Sequence, residues 1–316
     1  MKIDVVFTWV DGSDPEWIKK KDNALREAGR LSEKAIDKSR WDNKDELKYA
    51  LRSIHKNMRW VNNIYIVTDS QKPSWLDETH PRIFMVPHAD IFPDNEVLPV
   101  FNSRAIEACL HKIHGLSDIF IYFNDDMFVC RKTPRGYFVM EDGRLKSWAM
   151  KKQPIQAGDV DRYKHDSYVS AGVNAANLIR EKWCFNTLYR MAHAPYVARK
   201  ELMESLERDY IEQFDATRKE RFRSYRDIPP ISFFYPWYYH FSGEQEVEVI
   251  RRFSSVSNTV TLSRWRSILK LPYLVLISPR FLNFNDGKGG VPHVLRGVIA
   301  KVALSLLFFR RAPWER

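Results

Sequence analysis

Asn124, Asp125 and Asp126 follow directly on five apolar residues, Ile119-Phe-Ile-Tyr-Phe123. Adjacent carboxylates at the end of a buried strand repel each other, a cost that a bound cation or a role in proton transfer offsets. One of the pair can hold Mg²⁺ or Mn²⁺ while its neighbour serves as base or second ligand. The plainer alternative is a solvated Asx turn. The same apolar-then-Asn-Asp pattern recurs in Phe281-Leu-Asn-Phe-Asn-Asp-Gly287, so Asn285 and Asp286 either share a cation with the first edge or close another turn. The turn Thr8-Trp-Val-Asp-Gly-Ser-Asp-Pro15 is similar in kind. Trp9 offers a stacking face, and the backbone around Asp11 and Gly12 can approach a nucleotide. The turn matches neither G-x-G-x-x-G nor the P-loop, which disfavours a dinucleotide dehydrogenase and a P-loop NTPase.

Arg104, Glu107, His111 and His114 share the polar side of one predicted helix. They read either as surface ion pairs or, near the helix start at Asn102, as a pyrophosphate site in which Arg104 and free amides face the anion. His193, in Ala192-His-Ala-Pro195, precedes a helix expected to begin after Pro195. Arg223 belongs to the basic cluster Arg221-Phe-Arg-Ser-Tyr-Arg-Asp227, which can clamp a phosphate or simply solvate a turn.

The elements that carry these residues alternate. Strand-like runs at Ile3–Val10, Ile64–Val67, Ile83–Val86 and Ile119–Phe123 are separated by helical patterns through Ala28, from Asp42 or Asn43 (with Leu47, Ala50, Leu51, Ile54 and Met58 inward), and from Asn102 or Ser103 (with Ile106, Cys109, Leu110 and Ile113 inward). Alternation of this kind predicts a layered, largely parallel α/β sheet whose ligand edge carries Asp11, Asp69 and Asn124 to Asp126. After about residue 140 helical patterns dominate, at Ala171–Leu188, Arg199–Phe214 and Trp237–Phe253, with aromatic residues massed at 233–239. The expected division is an α/β core over 1–140, a mainly helical segment over 141–290 packed on the ligand edge, and a basic amphipathic tail over 291–316.

The chain of 316 residues is long enough for a substantial core, and 44% hydrophobic with 28% charged residues is ordinary for a globular protein. A net charge of +10 points to anionic partners. No zinc-finger or RNP-like signature supports nucleic acid. Three scattered cysteines make no disulfide framework or zinc motif and read as reduced thiols, and no signal peptide is apparent at the start. The run from Pro292 to Phe309 is too short and too basic to span a bilayer but suits a membrane interface, with Arg310, Arg311 and Trp314 beside it. A helix docked on the core is the alternative.

Taken together these segments resemble the Stealth family of sugar-phosphate transferases, which includes capsular polysaccharide phosphotransferases and the lysosomal-targeting GlcNAc-1-phosphotransferase. Four blocks match in order: Ile3 to Pro15; Asp42 to Ile54 continuing through Ile64 to Leu76, Phe101 to Glu107 and Tyr122 to Asp126; His193-Ala-Pro195 to Phe222-Arg-Ser224; and Phe284-Asn-Asp286. The resemblance implies a GT-A-like core, a UDP-sugar donor, a saccharide or polysaccharide acceptor, and Mg²⁺ or Mn²⁺. It also implies transfer of a sugar 1-phosphate with release of UMP. Family catalytic positions fall on Glu107, Asp126, His193 and Arg223. In this reading Thr8, Trp9, Asp11, Gly12, Asn102 and Arg104 hold the nucleotide, Asp125, Asp126, Asn285 and Asp286 serve the metal, and Glu107 orients the acceptor or His193. A compact enzyme of the bacterial cytoplasm, acting in capsular or exopolysaccharide synthesis and peripherally attached to the membrane through its tail, fits this reading. The alternatives are a metal-dependent glycosyltransferase that releases UDP and a non-catalytic carbohydrate- or membrane-binding protein.

Overall fold

The computed structural model describes residues 1–28, 41, 43–185, 187–251, 255–287 and 289–316. Its central sheet has the order β3-β2-β1-β4-β8. Strands β1 (Ile3–Thr8), β2 (Ile64–Thr68), β3 (Ile83–Pro87) and β4 (Ile119–Asn124) run parallel. The inner strands are buried on both faces, which is why they read as near-continuous apolar runs. Asp4 is the exception within β1, and its carboxylate accepts hydrogen bonds from Asn62, Asn63 and Ser117 at the edge opposite the ligands.

Helices α1 (Pro15–Ala28), α2 (Glu46–Asn57) and α3 (Ser103–Glu107) connect the parallel strands. The predicted inward stripe of α2 is buried. Its start lies later than the sequence suggests: Asp45 is the N-cap, in a left-handed conformation, and Asn43 instead accepts the Asp45 amide at 3.0 Å. Asp42 lies outside the described residues. Helix α3 spans only 5 residues, and the Asn102 side chain caps it by accepting the Arg104 amide.

Beyond residue 140 the helices α4 (Ser167–Trp183), α5 (Lys200–Asp209), α6 (Ile211–Lys219) and α7 (Tyr235–Ser242) are interleaved with strands. The expected helices are thus present, with strands among them that the helical patterns did not announce. Strands β6 (Leu145–Gln156), β7 (Thr187–Met191) and β9 (Gln245–Ile250) form a separate sheet. The exposed stretch at 151–154 breaks the alternation that would have announced β6. The helix expected over Ala171–Leu188 stops at Trp183, where Cys184 turns left-handed, and that expected from Trp237 stops at Gly243. Strands β5 (Met127–Val129), β10 (Ser257–Thr261) and β11 (Phe281–Asn285) make a third sheet.

Strand β8 (Tyr196–Arg199) joins the central sheet antiparallel to β4, so the helix expected after Pro195 begins only at Lys200. Residues rich in β-branched and aromatic types, beside an open edge of β4, pair more favourably than they coil. The second half of the chain therefore completes the first half's sheet. Helices α8 (Trp265–Ile268), α9 (Leu271–Ile277) and α10 (His293–Leu307) end the chain. Trp314 is buried between His55 and His80 rather than at an interface. Cys109, Cys130 and Cys184 are free thiols.

Candidate active site

A cavity of about 570 Å³ opens at the C-terminal edge of the central sheet. Register decides what reaches it. Thr8 pairs with Asn124, so the turn after β1 lies beside the acidic turn after β4. Because β8 runs antiparallel, with Tyr196 opposite Tyr122, the residues just before it emerge at the same edge. This brings His193 to Asp126: its Nε2 is 3.1 Å from both carboxylate oxygens. Ser257 and Asn283 both donate to the His193 carbonyl, fixing the backbone behind the ring. Burial opposes a charged imidazole, but Asp126 outweighs it and raises the His193 pKa.

The cavity wall contains Thr8, Trp9, Arg104, Glu107, Asp125, Asp126, His193, Arg223, Asn285 and Asp286, ten of the residues singled out from sequence. Asp11, Gly12 and Asn102 do not line it. The Asp11 carboxylate accepts from Ser13, while Gln71 clamps the turn by pairing with the Asp11 amide and carbonyl. A Cβ on Gly12 would overlap the Trp41 carbonyl, so glycine is needed there for packing rather than for nucleotide approach. Asn102 is fully buried, and its amide binds the backbone at Glu220 and Phe222 and the Asp227 carboxylate.

Neither Arg104 nor Glu107 belongs to a surface pair. Arg104 is buried and donates to Asp227 at 3.1 Å. Glu107, also buried, accepts from both the amide and the hydroxyl of Ser232, in the π-helical turn Pro230–Phe234. Burial raises its pKa against the opposing pull of Ser232, Arg104 and Arg223. Glu107 bonds Ser232 and not His193, so Asp126 is the residue that orients the imidazole. Arg223 donates to Ser103 at 2.8 Å, and burial together with Arg104 lowers its pKa to about 10.

The metal candidates divide. Asp286 is enclosed by two cations, Arg296 at 2.6 Å and Lys44 at 3.3 Å, which spends its charge within the protein. Asn285 is exposed at the rim. Asp125 remains: burial, then Asp126 and Glu46, raise its pKa well above the usual carboxylate range. Among the described residues no three acidic, histidine or cysteine side chains gather as a metal cage. Mg²⁺ is ordinarily held by one or two carboxylates and completes its shell with substrate phosphates and water. The all-oxygen pair Asp125–Asp126, crowded by a third carboxylate at Glu46, fits such an ion.

Lys44, Glu46 and His88 are among the wall residues that the sequence does not single out. Lys44 and Glu46 sit at the start of α2, inside a block noted for its helix pattern and for the family resemblance but not for a site residue. Glu46 accepts the Lys44 amide at 2.5 Å, and burial pushes its pKa up to about 7. His88, just past β3, is 2% exposed with both ring nitrogens unpartnered, and burial lowers its pKa to about 4. A neutral, unsatisfied imidazole on a cavity wall is a ready reader of a polar ligand edge.

Glu46 gives a pH prediction. Its folded pKa of about 7 exceeds the ordinary 4.5, so the protonated form favours folding. That contribution is present at low pH and is lost as pH rises through 7. In protein free of donor and divalent ions, Glu46→Gln should raise stability at pH 8 by about 3 kcal/mol and change it little at pH 4. Urea unfolding at the two pH values checks this, and an equal gain at both would contradict it.

Three Stealth family models match the chain: conserved region 1 over residues 1–28, conserved region 2 over 40–147 and conserved region 3 over 192–240. The exopolysaccharide phosphotransferase SCO6023 of Streptomyces coelicolor is 40% identical over 251 residues, 79% of this chain and 42% of that protein. SCO2592 of the same organism, also named an exopolysaccharide phosphotransferase, is 35% identical over 99% of this chain and 33% of its own length. The capsular polysaccharide phosphotransferase cps1A of Actinobacillus pleuropneumoniae is 34% identical over 84% of this chain and 73% of that protein. The chain thus spans less than half the length of the two Streptomyces relatives. Among solved structures, the galactosyltransferase LgtC with donor and acceptor sugar analogs aligns with 96% of this chain and 95% of its own at 10% identity and a TM-score of 0.42.

Proposed function

This chain belongs to the Stealth family, and we propose that it transfers a sugar 1-phosphate from a UDP-sugar to a saccharide hydroxyl, forming a phosphodiester and releasing UMP. The observation that carries this reading is the Asp126–His193 pair at the sheet edge, with Arg223 and Arg104 on the same cavity wall. Such a wall supplies both a base and fixed positive charge.

Trp9 and His88 take the nucleobase side of the donor, by stacking and by a neutral ring nitrogen. Asp126, as a carboxylate, accepts the Nε2 hydrogen of His193, which leaves Nδ1 as the basic atom. The acceptor oxygen attacks the phosphorus that bears the sugar, and its proton passes to Nδ1. The bond from that phosphorus to the bridging oxygen breaks, and UMP departs. Arg223, held by Ser103, neutralises charge gathering on the phosphoryl oxygens, where most of the gain in such transfers arises. Arg104 is a fixed charge behind it, anchored by Asp227. Mg²⁺ or Mn²⁺ held by Asp126 with Asp125 would offset the charge of the diphosphate. Arg190, 4.3 Å from the ring centre of Tyr168, lines the same cavity and suits the acceptor sugar. Donors of this kind are cytoplasmic, and capsular or exopolysaccharide synthesis in a bacterium is the setting we infer.

Incubation with a panel of UDP-sugars, Mg²⁺ and oligosaccharide acceptors, followed by separation of the nucleotides, tests the reaction. UMP with a phosphodiester product is expected. Release of UDP would mean ordinary glycosyl transfer and would overturn the proposal.

A further inference from the structure

Large apolar side chains are exposed unevenly over this molecule. Of the sixteen exposed large hydrophobic residues among those described, nine lie between 265 and 309: Trp265, Leu269, Tyr273, Leu276, Val294, Val298, Val302, Leu306 and Phe309. Leu276 is 83% exposed and Val294 79%. The four-residue steps from Val294 to Leu306 put those side chains along one side of α10. Ala300, Ala303 and Leu304 are buried, and the helix touches α9. The sequence expectations of an interfacial tail and of a core-docked helix therefore meet in one element with two faces.

The exposed charge that this segment itself carries has one sign. Arg264, Arg266, Arg310 and Arg311 are exposed beside it. Residues 264–316 contain only two acidic side chains, Asp286 and Glu315. Both point inward, Asp286 to Lys44 and Arg296, and Glu315 to Arg52 at 2.6 Å. Exposed arginines in a segment with no exposed acid of its own, beside aliphatic residues with Trp265 and Tyr273 among them, complement an anionic lipid surface.

We propose that α8, α9 and α10 form a docking face that lies in the headgroup region of an anionic bilayer. At 15 residues α10 is about 22 Å long, short of the ~30 Å hydrocarbon core. No helix among the described residues is long and apolar enough to cross a membrane. The mode is in-plane burial, for which apolar area and basic charge act as two joint signals. The inner side of α10 grips the active-site wall through Arg296–Asp286, and Lys301 reaches Asp45 at the start of α2. The docked face thus backs directly onto the cavity.

Cosedimentation of the full chain with vesicles tests this without reference to catalysis. Phosphatidylglycerol–phosphatidylcholine vesicles should carry the protein down, raised salt should weaken binding, and pure phosphatidylcholine should retain little. Leu276→Glu/Val298→Glu/Leu306→Glu should abolish sedimentation. Arg264→Gln/Arg266→Gln/Arg310→Gln/Arg311→Gln should weaken it by about fivefold per charge removed. The arginine set changes exposed residues only, and it decides the matter if the apolar variant does not fold. The proposal is overturned if wild type stays in solution with the anionic vesicles or if the arginine variant binds as wild type does. It is equally overturned if sedimentation equilibrium reveals a dimer that the apolar variant dissolves, since a second copy would then cover this face.

Discussion

His193→Ala should lower turnover by about 10²–10⁴-fold, the usual contribution of a positioned base. Donor affinity should stay within about twofold, because the ring serves the acceptor's proton and not the nucleotide. The ring is held on one side by Asp126 at 3.1 Å, and its backbone is pinned by β10 and β11, so the substitution removes a side chain without loosening the strand behind it. Asp126→Asn should approach the same loss in turnover by disturbing the tautomer, and should in addition weaken donor binding through the cation. Steady-state kinetics together with UDP-sugar titration separates the two. Wild-type turnover in His193→Ala would remove this residue from the mechanism.

Asp227→Ala should cost about 3–5 kcal/mol of stability, the penalty for leaving a buried charge without its partner. Asp227 is fully buried, and one of its oxygens accepts from Arg104, Asn102 and the Ser224 amide at 3.0–3.1 Å. Burial pushes its pKa up to about 6 against these partners, a sign of how strongly the site resists unpaired charge. Without it, Arg104 would lie buried in the same wall as Arg223 without the carboxylate it donates to. Arg104→Met in the Asp227→Ala background should restore part of the loss. Urea unfolding of both singles and the double forms the cycle that measures this, and simple additivity of the two losses would show that the pair is not coupled. The cluster at 221–227, whose sequence suits a phosphate clamp or a solvated turn, fixes the start of α3 through Asn102.

Local pattern made the first part of the site legible. Apolar strands followed at once by Trp9 or by Asn124 to Asp126 announce a sheet edge with chemistry on it, because strand length and side-chain type are short-range properties. His193 was legible as a residue but not in its setting. The strand that follows it, β8, is 4 residues long, and its identity depends on an open β4 edge far away in sequence. The cations around Asp286 were hidden for the same reason. Nothing near it in the chain predicts Lys44, and Arg296 falls in a segment read as a basic amphipathic tail. Glu46 and His88 were passed over because a charged residue in a helix's first turn and a lone histidine are both common on surfaces. Only tertiary burial distinguishes them here.

The late arrival of β8 has a consequence for how the protein is made. Ile121 in β4 pairs with Val197, 76 residues later. At the usual rate of synthesis, β4 waits about 4–15 s for that neighbour. During the interval Ile119-Phe-Ile-Tyr-Phe123 presents an unpaired apolar edge, the kind that recruits strands from other chains. The same geometry that carries His193 to Asp126 therefore leaves the nascent chain with an open edge until β8 arrives. Slowing translation between residues 124 and 196 should raise the aggregated fraction before it alters anything in the finished enzyme.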